Sequence, residues 1–216
     1  MMNNTMIVTQ NDIENMDSRY RAHFVNCLSG FKSANLIGTC SKDGIDNLCI
    51  VSSVFHLGSH PPLLGMIMRP HTVPRDTLKN IKDTGQYTVN HVHAALFEQA
   101  HQSSARYPSE ESEFAHLKLN PLRSSCMSAP FVAESHLRIA LKVRDIVEIA
   151  ANNTELIIGE VIEVNVPDHS VLEDGFIDLE ALNTVTVSGL DSYHQTTCLD
   201  RLSYAKPDTP LTSIKK

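Results

Sequence analysis

Apolar stretches alternate with short polar breaks along this chain, and the spacing of the breaks predicts mostly β structure. Ala34 to Ser41 (ANLIGTCS) gives the first strong strand signal. The KDGID turn that follows carries Asp43-Gly44, which supplies the positive backbone angles of a tight hairpin. Asn47 to Phe55 (NLCIVSSVF) returns as a second strand, and Leu63 to Arg69 forms a third after Pro61-Pro62. From Arg75 the period changes. Leu78 and Ile81 share one helical face, Lys79 and Lys82 point elsewhere, and Thr84-Gly85 provides the stop. Residues 86–92 (QYTVNHV) alternate again as a strand. Ala94 to Ala105 reads as a second helix, and the polar stretch through Glu113 as a loop. Two long β segments, His136 to Ile149 and Glu155 to Val166, meet at an Asn152-Asn153 turn. Residues 168–182 read as a polar turn leading into a short helix or loop.

Six or so strands on short connections, interrupted by two helices, do not alternate as βαβ. The expected fold is mainly β, an antiparallel barrel with added helices. No repeat, low-complexity tract or linker divides the chain, so one domain is expected over residues 1–216. Within it, residues 1–20 form a polar arm or short helix, and residues 205–216 an extended tail.

Composition narrows the class. A hydrophobic fraction of 42% with 20% charged residues permits a substantial core. The formal charge of −7 speaks against a nucleic-acid surface, although a local cationic pocket could still hold a small anion. The five cysteines are odd in number, far apart and free of any CxxC pair, which favours reduced thiols over disulfides or zinc. Met1 to Asn15 lacks the basic and apolar parts of a secretory signal, and no apolar run reaches membrane-spanning length. A soluble cytoplasmic protein is expected.

Nucleophilic chemistry has little support. There is no GxSxG elbow and no cysteine in a nucleophile context, so no catalytic side chain is assigned. His91, His93 and His101 lack a carboxylate to complete a ligand set, and no metal is expected. The sharpest feature is RPHTVPRDTLKNIKDTG, residues 69–85. Asp76 is a good helix cap, and Thr77 with Asn80 has the spacing of a capping box, with Asn in place of Glu or Gln. Capping does not account for Arg69 and Arg75, because cations at the positive end of a helix dipole are unfavourable unless an anion binds. A phosphate would accept bonds from helix N–H groups, a hydroxyl and a guanidinium fork. On the residues alone, a solvated helix end stays equally open. Ser52-Ser53 is likewise either a strand end in water or a polar rim for the edge of a flat ring. Tyr193 and His194, in GLDSYHQ, stand either at a site mouth or in a plain turn.

Taken in order, these segments resemble the flavin reductase-like family, whose fold is the FMN-binding split barrel. The resemblance is carried by Asp43-Gly44, Asn47 with Ser52, Pro61-Pro62, Arg69 and RDTLKNIKDTGQYTVN from Arg75 to Asn90. Looser matches follow at residues 129–135, 157–164, 173–178 and 189–193. The resemblance implies FMN as cofactor and NADH or NADPH as electron donor. It places Ser52, Ser53, Val54 and Phe55 along the flavin ring and ribityl chain, and Arg69, Arg75 and Thr77 around the phosphate. Asp76 and Asn80 would organise the helix start, while Tyr193 and His194 would approach the nicotinamide. The implied activity passes hydride from NAD(P)H to flavin and on to an acceptor, with small-molecule substrates and an acceptor enzyme as candidate partners. The alternatives are a flavin-dependent oxidase or reductase of another small molecule, and a non-catalytic FMN-binding electron carrier. A homodimer is implied, with no nucleic-acid or membrane partner.

Overall fold

A computed structural model of the chain describes residues 5–70 and 75–214. Two helices open it: α1 (Gln10–Asn15), capped by Thr9, and α2 (Ser18–Leu28), capped by Asp17. The helical part therefore runs beyond the arm expected over residues 1–20. Next come β1 (Lys32–Ser33), β2 (Asn35–Cys40), β3 (Asp46–Val51), β4 (Val54–Ser59) and β5 (Pro62–Met68). Helix α3 (Asp76–Thr84), β6 (Gln86–His91), α4 (Phe97–Gln102) and α5 (Glu113–Leu117) follow. The remaining strands are β7 (Pro121–Ser124), β8 (Met127–Val132), β9 (Arg138–Ile149), β10 (Thr154–Asn165), β11 (Val185–Ser188) and β12 (Ser192–Gln195).

Seven strands form one antiparallel sheet in the order β3-β2-β6-β9-β10-β5-β4. Its outermost strands, β3 and β4, are consecutive in sequence, because β3 ends at Val51 and β4 begins at Val54. The short link brings the two edges of the sheet together at one end and so rolls it. No ladder joins them among the described residues, which makes the barrel a split one. The strand expected over residues 47–55 is thus two strands. Ser52-Ser53 is the corner between them, where two hydroxyl residues interrupt an apolar run.

The barrel interior holds Ile37, Met66, Tyr87, Leu141 and Ile157, and α3 adds Leu78 and Ile81 from one end. A second cluster lies on the other face of β2, where Leu36 and Leu48 meet Leu96, Ala100, Phe114, Leu117 and Val185. Every residue of β2 is buried because both of its faces are covered. Gly159 marks a tight approach: an added Cβ would lie 2.2 Å from the Tyr87 hydroxyl oxygen.

A small sheet in the order β1-β11-β12 sits beside the barrel, with Lys32 opposite Val187 and Val187 opposite Tyr193. Neither its last two strands nor β7 and β8 are evident in the hydropathy pattern. The helix expected over Ala94–Ala105 shortens to Phe97–Gln102, and the expected polar loop contains α5. The tail is exposed but not free. Leu202 bridges to Ser213, and Arg201 lies 4.0 Å from the centre of the Phe176 ring while its guanidinium pairs with Asp174. Among the described residues, no helix is long and apolar enough to cross a membrane.

His91 closes β6 with its Nδ1 buried and unpartnered, and burial pulls its pKa down to about 4. The folded state then holds the neutral ring, whereas the unfolded chain takes up a proton below its ordinary value of 6.5. Stability is complete above pH 6.5 and is lost as the pH falls toward 4. The expected loss is about 2–3 kcal/mol, read by urea unfolding at stepped pH. His91→Gln should flatten that dependence, and an equally steep profile in this variant would refute the assignment.

Candidate flavin-binding cleft

One cleft of about 830 Å³ opens where the start of α3 meets the Ser52-Ser53 corner. Its other wall comes from α2, β1, the segment after α4, and the β11–β12 hairpin. The volume lies within the usual range for small-ligand sites.

The wall at α3 is built from the barrel outward. Arg75 takes extended backbone angles at the N-cap position, and no side chain caps the first turn. The capping box expected from Thr77 and Asn80 is not formed, because both side chains are buried and bonded to strands. Thr77 Oγ1 donates to Asn47 Oδ1 (2.7 Å) or to Cys49 Sγ (3.1 Å). Asn80 Nδ2 donates to Thr39 Oγ1 at 3.2 Å, and Thr39 Oγ1 donates to Asn47 Oδ1 at 3.2 Å. Asn47 passes the chain onward: its Nδ2 donates to both carboxylate oxygens of Glu113 at 3.0 Å. Glu113 also accepts the Leu48 N–H at 2.9 Å. Asp76 is turned away from capping and accepts from Ser109 Oγ at 3.1 Å. Among the described residues, no side chain takes up the first-turn N–H groups of α3, which suits them to an outside acceptor.

Burial pushes the Glu113 carboxyl pKa up, opposed by the hydrogen bonds it accepts. Cys49, on the cleft floor, is driven up to about 11, chiefly by burial. Its thiol is thus protonated and a poor nucleophile at neutral pH. Native alkylation with iodoacetamide should label the exposed Cys27, Cys126 and Cys198 and spare Cys49. Peptide mapping checks this, and labelling of Cys49 as fast as the exposed thiols would contradict it.

Two cations stand at this wall. Arg69 is exposed at the end of β5, while Arg75 is half-buried and its Nε is buried with no partner among the described residues. An orphaned guanidinium N–H beside an uncapped helix start is a donor set for a phosphate. At the corner, Ser53 Oγ donates to the Ile67 carbonyl at 2.8 Å, and Ser52 lines the cleft beside it.

Ser52, Ser53, Arg69, Arg75, Asp76, Thr77 and Tyr193 all line the cleft. Asn80 lies behind it as a support. Val54 packs into the barrel core, and Phe55 lies across Gly65, so neither faces the cleft. Alternation along β12 separates Tyr193 from His194. Tyr193 reaches into the cleft and bonds His101 Nδ1 through its hydroxyl at 3.0 Å. His194 turns to Ser188 Oγ and the edge of Phe31. The histidine beside Tyr193 is therefore His101, which the sequence reading considered only as a metal ligand. His93 instead stacks on His136, 4.2 Å between ring centres. Glu113 and Lys32 were also missed. Nothing local marks Glu113, since its partners are 65 and 66 positions away.

A rolled, split antiparallel sheet of this kind is the split-barrel fold of flavin reductases. The chain belongs to the flavin reductase-like family, since the model of the flavin reductase like domain matches residues 28–179. It is 33% identical over 174 residues to uncharacterized protein BH2278 of Halalkalibacterium halodurans, covering 76% of this chain and 83% of that one. It superposes with a TM-score of 0.90 on a flavin reductase candidate with a split barrel domain from Shewanella frigidimarina. The two are 52% identical over 93% of this chain and 100% of the other. The flavoredoxin of Desulfovibrio vulgaris shares the fold at 24% identity and a TM-score of 0.69, over 83% of this chain and 92% of its own.

Proposed function

We propose that this chain binds FMN in the cleft and passes electrons from NADH or NADPH through it to a small-molecule or protein acceptor. The observation that carries the reading is Arg75, a half-buried cation with an unpartnered Nε at the uncapped start of α3. A single phosphate answers both the cation and the helix N–H groups, which favours FMN as the cofactor form. When bound, the flavin supplies the hydride-accepting and electron-donating chemistry itself.

The protein's own work is then binding and orientation. Arg75, with Arg69 nearer solvent, neutralises the phosphate. The backbone and hydroxyls at Ser52-Ser53 offer polar contacts to the edge of a flat ring. Val51, Ile67 and Met68 line the cleft between these points and exclude water. The Thr39–Asn47–Thr77–Glu113 network fixes the helix start, so the phosphate site is set before the ligand arrives. No side-chain acid or base is required, consistent with the absence of a catalytic motif.

A homodimer is part of the same reading. Tyr20, Val25, Leu28 and Phe31, on and after α2, expose apolar surface beside the cleft, and a second copy would cover it. Sedimentation should give twice the chain mass.

The decisive experiment reconstitutes the protein with FMN or FAD and adds each nicotinamide without oxygen. Tight FMN uptake followed by bleaching of the yellow colour is expected. Uptake without bleaching by either nucleotide would leave an electron carrier, and no uptake of either flavin would overturn the reading.

A further inference from the structure

A further cation stands on the second wall of the cleft, away from the phosphate site. Lys32 Nζ donates to the backbone carbonyls of Asn26 and Gly189, each at 2.8 Å. It lines the cleft together with Leu190 and Tyr193. No carboxylate pairs with it among the described residues. Tying the end of α2 to the Gly189 turn is a structural duty, and a cation beside carbonyls near a helix C-terminus is well placed for it. That duty uses two of the three ammonium protons and leaves one N–H with the whole charge.

Nothing in the phosphate site needs this charge. Arg75 belongs to α3 at the barrel, whereas Lys32 belongs to the small sheet. The cleft's two carboxylates are engaged elsewhere, Asp76 with Ser109 and Glu113 with Asn47 and Leu48. A half-buried cation without a counter-ion is retained at some cost in solvation, which an arriving anion recovers. The same wall carries an aromatic face. The Tyr193 ring is held by its bond to His101 and packs against Phe97, 5.5 Å between centres.

We propose that Lys32 binds the anionic group of the second substrate while Tyr193 receives its flat part. The group is a phosphate of a dinucleotide donor or a carboxylate of an acceptor, and Lys32 thereby helps set substrate choice. The inference rests on the flavin-binding reading of the same cleft.

FMN-loaded protein titrated calorimetrically with NADP⁺ and with benzoate tests it, because neither ligand is turned over by the oxidised enzyme. Lys32→Met should lower the affinity for at least one of them about tenfold, with recovery in Lys32→Arg and FMN affinity unchanged. Weakened NADP⁺ binding assigns a phosphate, and weakened benzoate binding a carboxylate. Unchanged affinity for both ligands overturns the proposal, even if the melting temperature falls, since Lys32 is then only a fastener. So does a failure of the wild-type protein to bind either ligand. Loss of FMN together with the ligand also overturns it, by placing Lys32 in the cofactor site. Failure of the wild type to take up FMN at all would instead remove the flavin reading, and this inference with it.

Discussion

Arg75→Ala should weaken FMN binding by about 10- to 100-fold, the range expected when a charge-assisted guanidinium–phosphate contact is removed. Quenching of flavin fluorescence on titration into apoprotein measures it. The melting temperature should hardly move, because the Arg75 Nε has no partner among the described residues to lose. Arg69→Ala should cost only a few-fold, since Arg69 is exposed and its charge is screened. Arg75→Lys separates charge from geometry: it keeps the cation but loses the fork, so an intermediate affinity is expected. Equal FMN affinity in wild type and Arg75→Ala would remove the phosphate from the start of α3.

The second large effect falls on stability. Glu113→Ala should destabilise the fold by about 2–4 kcal/mol in urea unfolding, because it strands two buried donors. These are Asn47 Nδ2 and the Leu48 N–H, which have Glu113 as their acceptor. Asn47 in turn holds Thr77, so the start of α3 should loosen and FMN affinity should fall with stability. Glu113→Gln is a finer probe. It keeps one acceptor oxygen but sets an NH₂ against donors, and should fall between the two. A Glu113→Ala protein as stable as wild type would show that the carboxylate organises nothing.

The parts of this fold that hydropathy and turn chemistry revealed are those whose cause is local. Asp43-Gly44 marks the β2–β3 hairpin because Gly44 adopts a φ of 85°, and Gly85 ends α3 with a φ of 67°. Leu78 and Ile81 marked the buried face of α3. Where the cause is distant, the pattern misled. Ser52-Ser53 looked like a polar interruption in one strand but is the corner at which the barrel splits. Thr77 and Asn80 have the spacing of a cap, yet both turn inward because Asn47 and Thr39 wait on strands packed beneath the helix. Their sequence neighbours carry no sign of that arrangement.

The choice between His194 and His101 was partly legible. Had residues 192–195 been read as a strand, period-two alternation would have placed Tyr193 and His194 on opposite faces. The approach of His101, 92 positions earlier, could not have been seen. The resemblance supplied what the residues left open, by giving an order in which weak motifs reinforce one another. It carried Arg69, Arg75 and the serine corner to the cleft, whereas Val54 and Phe55 stand on β4 beyond the corner, one packed on the barrel core and the other across Gly65, and do not line it.

The match to the family model stops at residue 179, whereas the hairpin that brings Leu190 and Tyr193 to the cleft spans residues 185–195. The proposed substrate wall thus joins residues from within that match, Lys32 on β1 and His101, to a hairpin that lies beyond it, through the short ladder between β1 and β11. The turn at the hairpin's tip, between Ser188 and Ser192, is the part of it outside the β11–β12 ladder. Grafting a different turn between Val187 and Tyr193 should change which molecules can dock, while the proposed phosphate site at Arg75, more than a hundred residues earlier, stays as it is.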